Sequence, residues 1–329
     1  MAAVLALWVG RPAAAAEPPK RVETPQLSQA AAAGWFRTTI ISGRIVVQGR
    51  RFGSTITQSR GEGPDEEFTI RMAGAVPSIS YKISSTEGEF SLSISSGDRI
   101  SIRQVPGDNS ALPQMEFRQS AADEGISLIV GRGGDQKTYA AKTLWHLLIG
   151  EAEVCSEHLL PLLEPLLGRH DLGALADQVV TVLVRNNTAA QKPERETWAK
   201  LVEQLGDDRF GRREAADRQL RAAGPRVVAF LAGLDRAGLD AEQHYRVARI
   251  IRAFSDQGGQ DTPELAASWL AADPEIWLAL LARDKESTRR LATQQLEVLL
   301  GATIDFDPAA DEKTRKAQIE QLRLRIVKQ

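Results

Sequence analysis

Apolar and polar residues alternate with a period of two along the first part of the chain. Ile79, Tyr81 and Ile83 alternate with serine and lysine, and residues 88–103 hold two more runs of this kind. Successive side chains of a strand point to opposite faces, so the pattern predicts antiparallel strands with one solvated face. Further strands are expected over residues 38–48, 52–59, 66–72, 114–119 and 126–131. The sequence therefore predicts an antiparallel β domain over residues 35–135, built as a meander, a sandwich or a small barrel.

After Thr138 the apolar spacing becomes helical. In the clearest example Trp198, Leu201, Val202 and Leu205 fall at i, i+3, i+4 and i+7, which is the spacing of one buried helical face. Helix starts are marked by Thr262-Pro263 and Asp273-Pro274, and Asp240 with Gln243 has the spacing of a capping box. These signals predict an α-helical domain over residues 138–329, and with the strands they predict an α+β protein.

The N-terminus has the features of an export signal. Residues 1–16 hold an apolar run that ends in small residues, although no basic residue precedes it. We expect a signal peptide cleaved after Ala16, followed by a disordered linker over residues 17–34, which is rich in proline and polar residues. No later run reaches the roughly 18 to 20 apolar residues that span a bilayer. The expected location is therefore periplasmic or secreted, with no membrane span after cleavage.

Composition limits the classes of function. Apolar residues make up 43% of the chain and charged residues 26%, with a net charge of −2. These values are typical of globular protein and lack the basic excess of a nucleic-acid-binding protein. Cys155 is the only cysteine, so no intramolecular disulfide can form.

One helical stretch resembles a known class of repeat. Residues 205–210, read Leu-Gly-Asp-Asp-Arg-Phe, precede Arg213, Ala216 and Leu220, and Gly224-Pro225 follows them. This stretch resembles HEAT-like helical repeats of exported bacterial proteins of unassigned function. The resemblance implies stacked helix pairs, a protein-binding or scaffolding role and no catalytic residue.

A possible internal repeat accompanies this resemblance. The spacing Arg-x2-Ala-x3-Leu recurs at Arg289, Ala292 and Leu296, 76 positions later. Because only one helix pair matches well, we expect a compact helical domain rather than a long superhelix.

Arginine residues recur along the helix that follows residue 209, interleaved with Glu214 and Asp217. Such a pattern is typical of a solvated face with weak ion pairs, and its alternative is a ridge that binds an acidic partner. The candidate ridge comprises Arg209, Arg212, Arg213, Arg218 and Arg221. The adjacent Asp207 and Asp208 are expected to cap the helix.

The sequence gives weaker support for metal, catalytic, calcium, phosphate or glycan sites than for the arginine ridge. Cys155 and His158, with His146, His170, Glu151 and Glu157 nearby, suggest a zinc site or a cysteine hydrolase, but a second close pair of ligands is missing. Residues 62–67 lack the spacing of a calcium loop, and residues 131–137 lack that of a phosphate loop. We expect residues 62–67 to form a solvated turn and residues 131–137 to form a flexible domain junction. The serine-rich strand face offers a possible glycan surface without evident aromatic residues.

Together these features predict an exported, non-enzymatic protein that binds a protein partner through its helical surface. We expect no catalytic residue, no cofactor, no metal ligand and no nucleic acid. Two alternatives remain open: a cell-envelope protein that binds glycan through the β domain, and a hydrolase whose site is assembled from dispersed residues.

Overall fold

A computed structural model describes the chain over residues 21–49, 56–60, 65–74, 76–108, 110–121, 124–167, 171–186, 195–224, 226–232, 234, 238–257 and 260–326. The fold is α+β, as the sequence predicts: antiparallel strands come first and helices follow. The expected signal peptide lies outside the described residues.

The described residues of the β region form ten strands. They are β1 (Phe36–Ile41), β2 (Arg44–Gly49), β3 (Ile56–Arg60), β4 (Asp65–Ala73), β5 (Val76–Ser85), β6 (Gly88–Ser95), β7 (Arg99–Pro106), β8 (Met115–Gln119), β9 (Ile126–Val130) and β10 (Lys137–Ala141). Strands β3 to β10 make one antiparallel meander in sequence order, and β1 pairs with β2 as a separate hairpin. Of the three arrangements left open by the sequence, the eight-stranded sheet is thus a meander.

The sheet buries the apolar face that the alternation predicts. Ile79 pairs with Ile94, and Tyr81 pairs with Leu92, across β5 and β6. Each of these four side chains is at most 2% exposed. A buried side chain of this size contributes roughly 1.5–3 kcal/mol, so the inner face is a main source of stability.

The β region extends further than the sequence predicts. Residues 138–141, expected to begin the helical region, lie in β10, which pairs with Ile126–Val130. Residues 131–137 are expected to be a flexible junction between domains. They instead form a tight connection within the sheet, in which Gly131 has φ +108°, and end with the first residue of β10. β10 is an edge strand with mostly exposed side chains, so it carries little of the alternation on which strand prediction depends.

The helical part follows. Its helices are α2 (Leu144–Gly150), α3 (Ala152–Val154), α4 (Leu160–Leu167), α5 (Leu172–Asn186), α6 (Arg195–Leu205), α7 (Phe210–Ala222), α8 (Arg226–Ala232), α9 (Ala241–Gln257), α10 (Pro263–Leu270), α11 (Pro274–Leu280), α12 (Glu286–Leu300) and α13 (Glu312–Ile326), with a π-helical turn at Cys155–Leu159 between α3 and α4. The described part of the chain contains no helix long and apolar enough to cross a membrane.

One further helix precedes the sheet. Residues 17–34 are expected to be disordered, but Pro25–Ala32 form a helix in which Leu27 is fully buried. We call it αN. The prolines that suggest disorder include Pro25, which occupies the first turn of this helix, where proline is tolerated because its missing N–H needs no partner.

Two hydrophobic cores stabilise the described structure. The larger core joins the inner face of the sheet to αN, α2, α4, α5 and α10 to α13. The smaller core contains Trp198, Leu205, Leu220 and Ile250 among its buried residues and is formed by α6 to α9. The sheet and most of the helices therefore bury their apolar surfaces together, and α6 to α9 bury theirs separately.

Asp261 ties the β1–β2 hairpin to the helices. Its carboxylate accepts hydrogen bonds from the backbone N–H groups of Ser42 and Gly43, at 2.8 and 2.7 Å, and from Trp145 Nε1 at 2.7 Å. Gly43 has φ +71°, and a Cβ atom there would lie 2.6 Å from the Cβ of Thr143. Only glycine fits this turn, which holds the carboxylate against the start of α2.

Helices α7 and α12 begin in the same way. Arg213 Nη1 donates to the carbonyl oxygens six and five residues before it, those of Asp207 and Asp208. Arg289 Nη1 donates to the carbonyl oxygens at the same two offsets, those of Arg283 and Asp284. The recurring alanine and leucine of both segments are fully buried. The 76-residue spacing thus corresponds to equal side-chain contacts, although the structure does not by itself establish a HEAT repeat.

We expect the substitution Asp261→Ala to destabilise the fold by about 3 kcal/mol or more, because three buried N–H donors lose their acceptor. Urea unfolding followed by circular dichroism measures the change. Asp305→Ala is the control, since Asp305 is exposed in a loop, and should change stability by less than about 0.5 kcal/mol. Equal stability of the two variants would contradict the role given to Asp261.

Candidate functional sites

A network of ion pairs joins α7 to α9, and we call this surface the arginine seam. Asp217, only 3% exposed, accepts from Arg221 on its own helix and from Arg249 on α9, where Arg249 Nη2 lies 2.6 Å from Asp217 Oδ2. Arg246 pairs with Glu214 at 2.8 Å and with Glu242 at 2.6 Å. The pairs fix the position of α7 against α9.

The pKa of Asp217 lies below its ordinary value. Burial alone would raise it, but the hydrogen bonds from Arg221 and Arg249 outweigh that effect. The carboxylate therefore stays ionised at neutral pH and holds both guanidinium groups in place.

Two exposed aromatic residues flank the arginine seam. Phe210, 64% exposed, lies beside Arg213, whose Cζ atom is 5.7 Å from the ring centroid. Tyr245, 62% exposed, has the same relation to Arg249 at 5.8 Å. The described residues include only four large apolar side chains with such exposure, the others being Val76 and Leu324. Two of the four thus lie on one surface, each next to an oriented arginine.

The structure divides the predicted arginine ridge into two groups. Arg213 and Arg221 are half-buried, and they bind the carbonyl oxygen of Asp207 and the carboxylate of Asp217, respectively. Arg209, Arg212 and Arg218 are exposed, and Arg212 pairs with Asp207 at 3.1 Å. Asp207 also accepts from the backbone N–H of Arg209. Arg209 is itself the N-cap residue of α7 and no side chain caps this helix, so the prediction that Asp207 and Asp208 cap it is wrong. The aromatic residues and Arg249 belong to the same surface but were not part of the predicted ridge.

A cleft lies at the junction of β10, α2, α11 and α13. It has a volume of about 300 Å³, and its lining is largely apolar, with polar contributions from His146, Glu151, Glu275 and Arg323. A mainly apolar cavity with a few convergent polar groups is typical of sites that bind small molecules.

Two helix starts meet beside this cleft. Thr143 caps α2, and its Oγ1 lies 2.8 Å from His146 Nδ1. Asp273 caps α11 through Oδ1, while its Oδ2 lies 3.2 Å from His146 Nε2 and 3.2 Å from Lys142 Nζ. Asp273 is 1% exposed. Burial would raise its pKa, but the hydrogen bond with His146 and the charge of Lys142 hold that pKa well below its usual range.

The sequence associates His146 with Cys155 and His158, whereas the structure places it against Asp273. Cys155 is buried, and its thiol donates to the carbonyl oxygen of Leu147. Burial, together with the charge of Glu151, raises its pKa to about 12. An activated cysteine nucleophile needs a lowered pKa, so these surroundings do not suit a thiolate. His170 lies outside the described residues.

The serine-rich face of the sheet carries a shallow groove of about 420 Å³, on which the glycan alternative depends. Its lining includes Ser93, Ser101, Arg99 and Arg118 and contains no aromatic residue.

Of residues 62–67, expected to form a solvated turn, 62–64 lie outside the described residues and 65–67 begin β4, where Glu66 is 2% exposed. Glu66 accepts from the hydroxyl of Tyr81 at 2.7 Å and from the backbone N–H of Gln26 at 3.0 Å. Its carboxylate therefore attaches αN to the sheet.

Comparison with protein-family models, curated proteins and solved structures finds no significant match to the chain.

We expect Asp273→Asn to destabilise the protein by about 3 kcal/mol at pH 7, because asparagine keeps the cap but loses the charge that faces Lys142 and His146. A carboxyl with a lowered pKa stabilises the fold above its ordinary pKa of 3.8 and loses this effect as pH falls. The difference in the free energy of unfolding between Asp273→Asn and the wild type should therefore become smaller below about pH 4.

Urea unfolding at several pH values measures this difference. Asp311→Asn is the matched control, since Asp311 caps α13 at an exposed position, and should have little effect. A difference for Asp273→Asn that is constant from pH 7 to acid would contradict the assignment.

Proposed function

We propose that the protein is an exported, non-enzymatic binding or scaffolding protein, and that it holds an acidic protein segment on the arginine seam. The observation that carries the proposal is the pairing of two exposed aromatic rings with oriented arginines on one surface. Tyrosine and arginine are enriched among residues that dominate the energy of protein interfaces.

Charge supports an acidic partner. Residues 207–222 and 241–254 contain eight arginines and five carboxylates, within a chain whose net charge is −2. Arg209, Arg218 and Arg252 are exposed, and no ion pair joins them to another described residue. Guanidinium groups form bidentate hydrogen bonds with carboxylates, which favours a partner that presents aspartate and glutamate side chains.

The structural setting also supports a binding surface. Helices α7 and α12 share the arginine contacts at their starts, but α12 has Thr293 where α7 has Asp217. Among the described residues, the ion pair of α12 is Arg290 with Glu286 within the helix, and none joins α12 to another helix. The ion pairs and the exposed aromatic rings of the seam are therefore additional to the contacts that α7 and α12 share.

Glycan binding by the sheet is the competing function. The groove on the serine-rich face offers hydroxyl and charged groups, but sugar sites usually add an aromatic ring that stacks on the sugar, and the lining has none. We therefore prefer the arginine seam.

We expect a short fluorescein-labelled peptide rich in glutamate and tyrosine to bind the protein, with affinity that falls as salt rises. The double substitution Phe210→Ala and Tyr245→Ala should weaken binding by about tenfold or more, since two anchoring rings are lost. Fluorescence anisotropy measures both effects.

Leu324→Ala is the matched control, because Leu324 is also a large exposed apolar residue, on α13. A peptide with lysine in place of glutamate should not bind. Equal weakening by both sets of substitutions, or a shift of the melting temperature by soluble cell-wall glycan but not by the acidic peptide, would favour the competing function.

Export is tested separately. If residues 1–16 are a signal peptide, N-terminal sequencing of the native protein should begin at Glu17. A native protein that begins at Met1 would contradict export and leave the binding proposal unaffected.

A further inference from the structure

Three side chains that ligate metals converge at the cleft. His146, Asp273 and Glu275 each place one donor atom within 4.8 Å of the other two. His146 and Asp273 are buried and Glu275 is exposed. Residues 146 and 273 lie far apart in sequence, so the fold alone brings them together.

The two buried ligands are already oriented by neighbours. The second ring nitrogen of His146 bonds to Thr143 Oγ1 at 2.8 Å, and the second oxygen of Asp273 accepts from the backbone N–H of Glu275 at 2.9 Å. His146 Nε2 and Asp273 Oδ2 therefore face each other at 3.2 Å. In metal sites such outer partners fix the ring and the carboxylate in the same manner.

A positive charge already lies between the two carboxylates. Lys142 Nζ is 3.2 Å from Asp273 and 3.1 Å from Glu275. The side chain of Lys142 is 21% exposed. Its ammonium group is carried by a flexible four-carbon chain, so it can move out into solvent. The position thus suits a cation, and its present occupant is replaceable.

We propose that His146, Asp273 and Glu275 form a binding site for a divalent transition metal such as zinc, which exchanges with Lys142. Zinc bonds to nitrogen and oxygen of about 2.0–2.2 Å place tetrahedral ligands roughly 3.3–3.6 Å apart. The separation of His146 from Asp273 already matches, and Glu275, with its side chain 47% exposed, is free to close the remaining gap. The cleft leaves room for a water molecule or an exogenous ligand at the fourth position.

Donor chemistry selects the class of metal. One imidazole and two carboxylates favour zinc and neighbouring transition metals, whereas calcium and magnesium prefer oxygen ligands alone. Replacing one lysine by a divalent cation also balances the two carboxylates. This site is independent of the arginine seam and of the proposed function.

The test uses calorimetric titration of the full chain with zinc chloride and absorption spectroscopy with cobalt(II). We expect one saturable site. Lys142→Met removes the competing charge and keeps the stem, so it should tighten zinc binding by about tenfold. Glu275→Gln should weaken zinc binding by about tenfold or more and reduce the cobalt absorption.

Glu264→Gln is the matched control. Glu264 follows Thr262 and Pro263 at the start of α10, as Glu275 follows Asp273 and Pro274 at the start of α11, and it should leave binding unchanged. Absence of saturable binding in both the wild type and Lys142→Met would overturn the proposal. Binding unaffected by Glu275→Gln would also overturn it, since the metal would then be held by other residues. Binding no tighter in Lys142→Met would overturn the exchange with lysine.

Discussion

The buried carboxylate of Asp261 is the contact on which the arrangement of sheet and helices depends. Burial raises its pKa, and hydrogen bonds from Trp145 and from the backbone of Gly43 and Ser42 oppose that rise. A buried charge without such donors would be strongly unfavourable. The three donors come from the hairpin turn and from α2, so satisfying one carboxylate fixes both segments relative to the start of α10. Once they are fixed, the sheet and the helices bury their apolar faces in a single core.

The helices α6 to α9 are held together by a different combination of contacts. Their core is small and separate, and much of the contact between α7 and α9 is made by ion pairs centred on Asp217 and Arg246. Buried ion pairs contribute little net stability, because desolvation offsets their attraction. They do restrict geometry, and the restricted geometry here holds Arg213 and Arg249 against exposed aromatic rings. A surface arranged in advance loses less conformational entropy when a partner binds, which is why we connect the seam with binding rather than with stability.

Local signals account for what the sequence predicts well. The α+β class and the strands β5 to β7 follow from alternation, and the caps at Thr262, Asp273 and Asp240 follow from residues within three positions. Asp240 and Gln243 do form the expected reciprocal capping box.

Prediction fails where a long-range contact decides the structure. β10 is stabilised by its pairing with β9. αN is stabilised because Leu27 packs into the larger hydrophobic core. The partners of His146 and Trp145 lie more than a hundred residues away. No pattern along the chain could have revealed Asp273 as the partner of His146, and only the proline-marked cap indicates its location.

Asp261 and Asp273, two of the three buried aspartates among the described helical residues, differ in a way that explains why Asp273 suits a metal. Both oxygens of Asp261 accept from N–H groups that belong to rigid parts of the fold, namely two backbone amides and an indole, and none of these donors can be replaced by an ion without unfolding the turn. Asp273 commits only Oδ1 to the backbone, and Oδ2 meets a lysine and an imidazole. Lysine is mobile and imidazole can ligate through its lone pair. The buried carboxylate of Asp261 therefore has a structural role. The buried carboxylate of Asp273 is paired with a cation that another cation can replace.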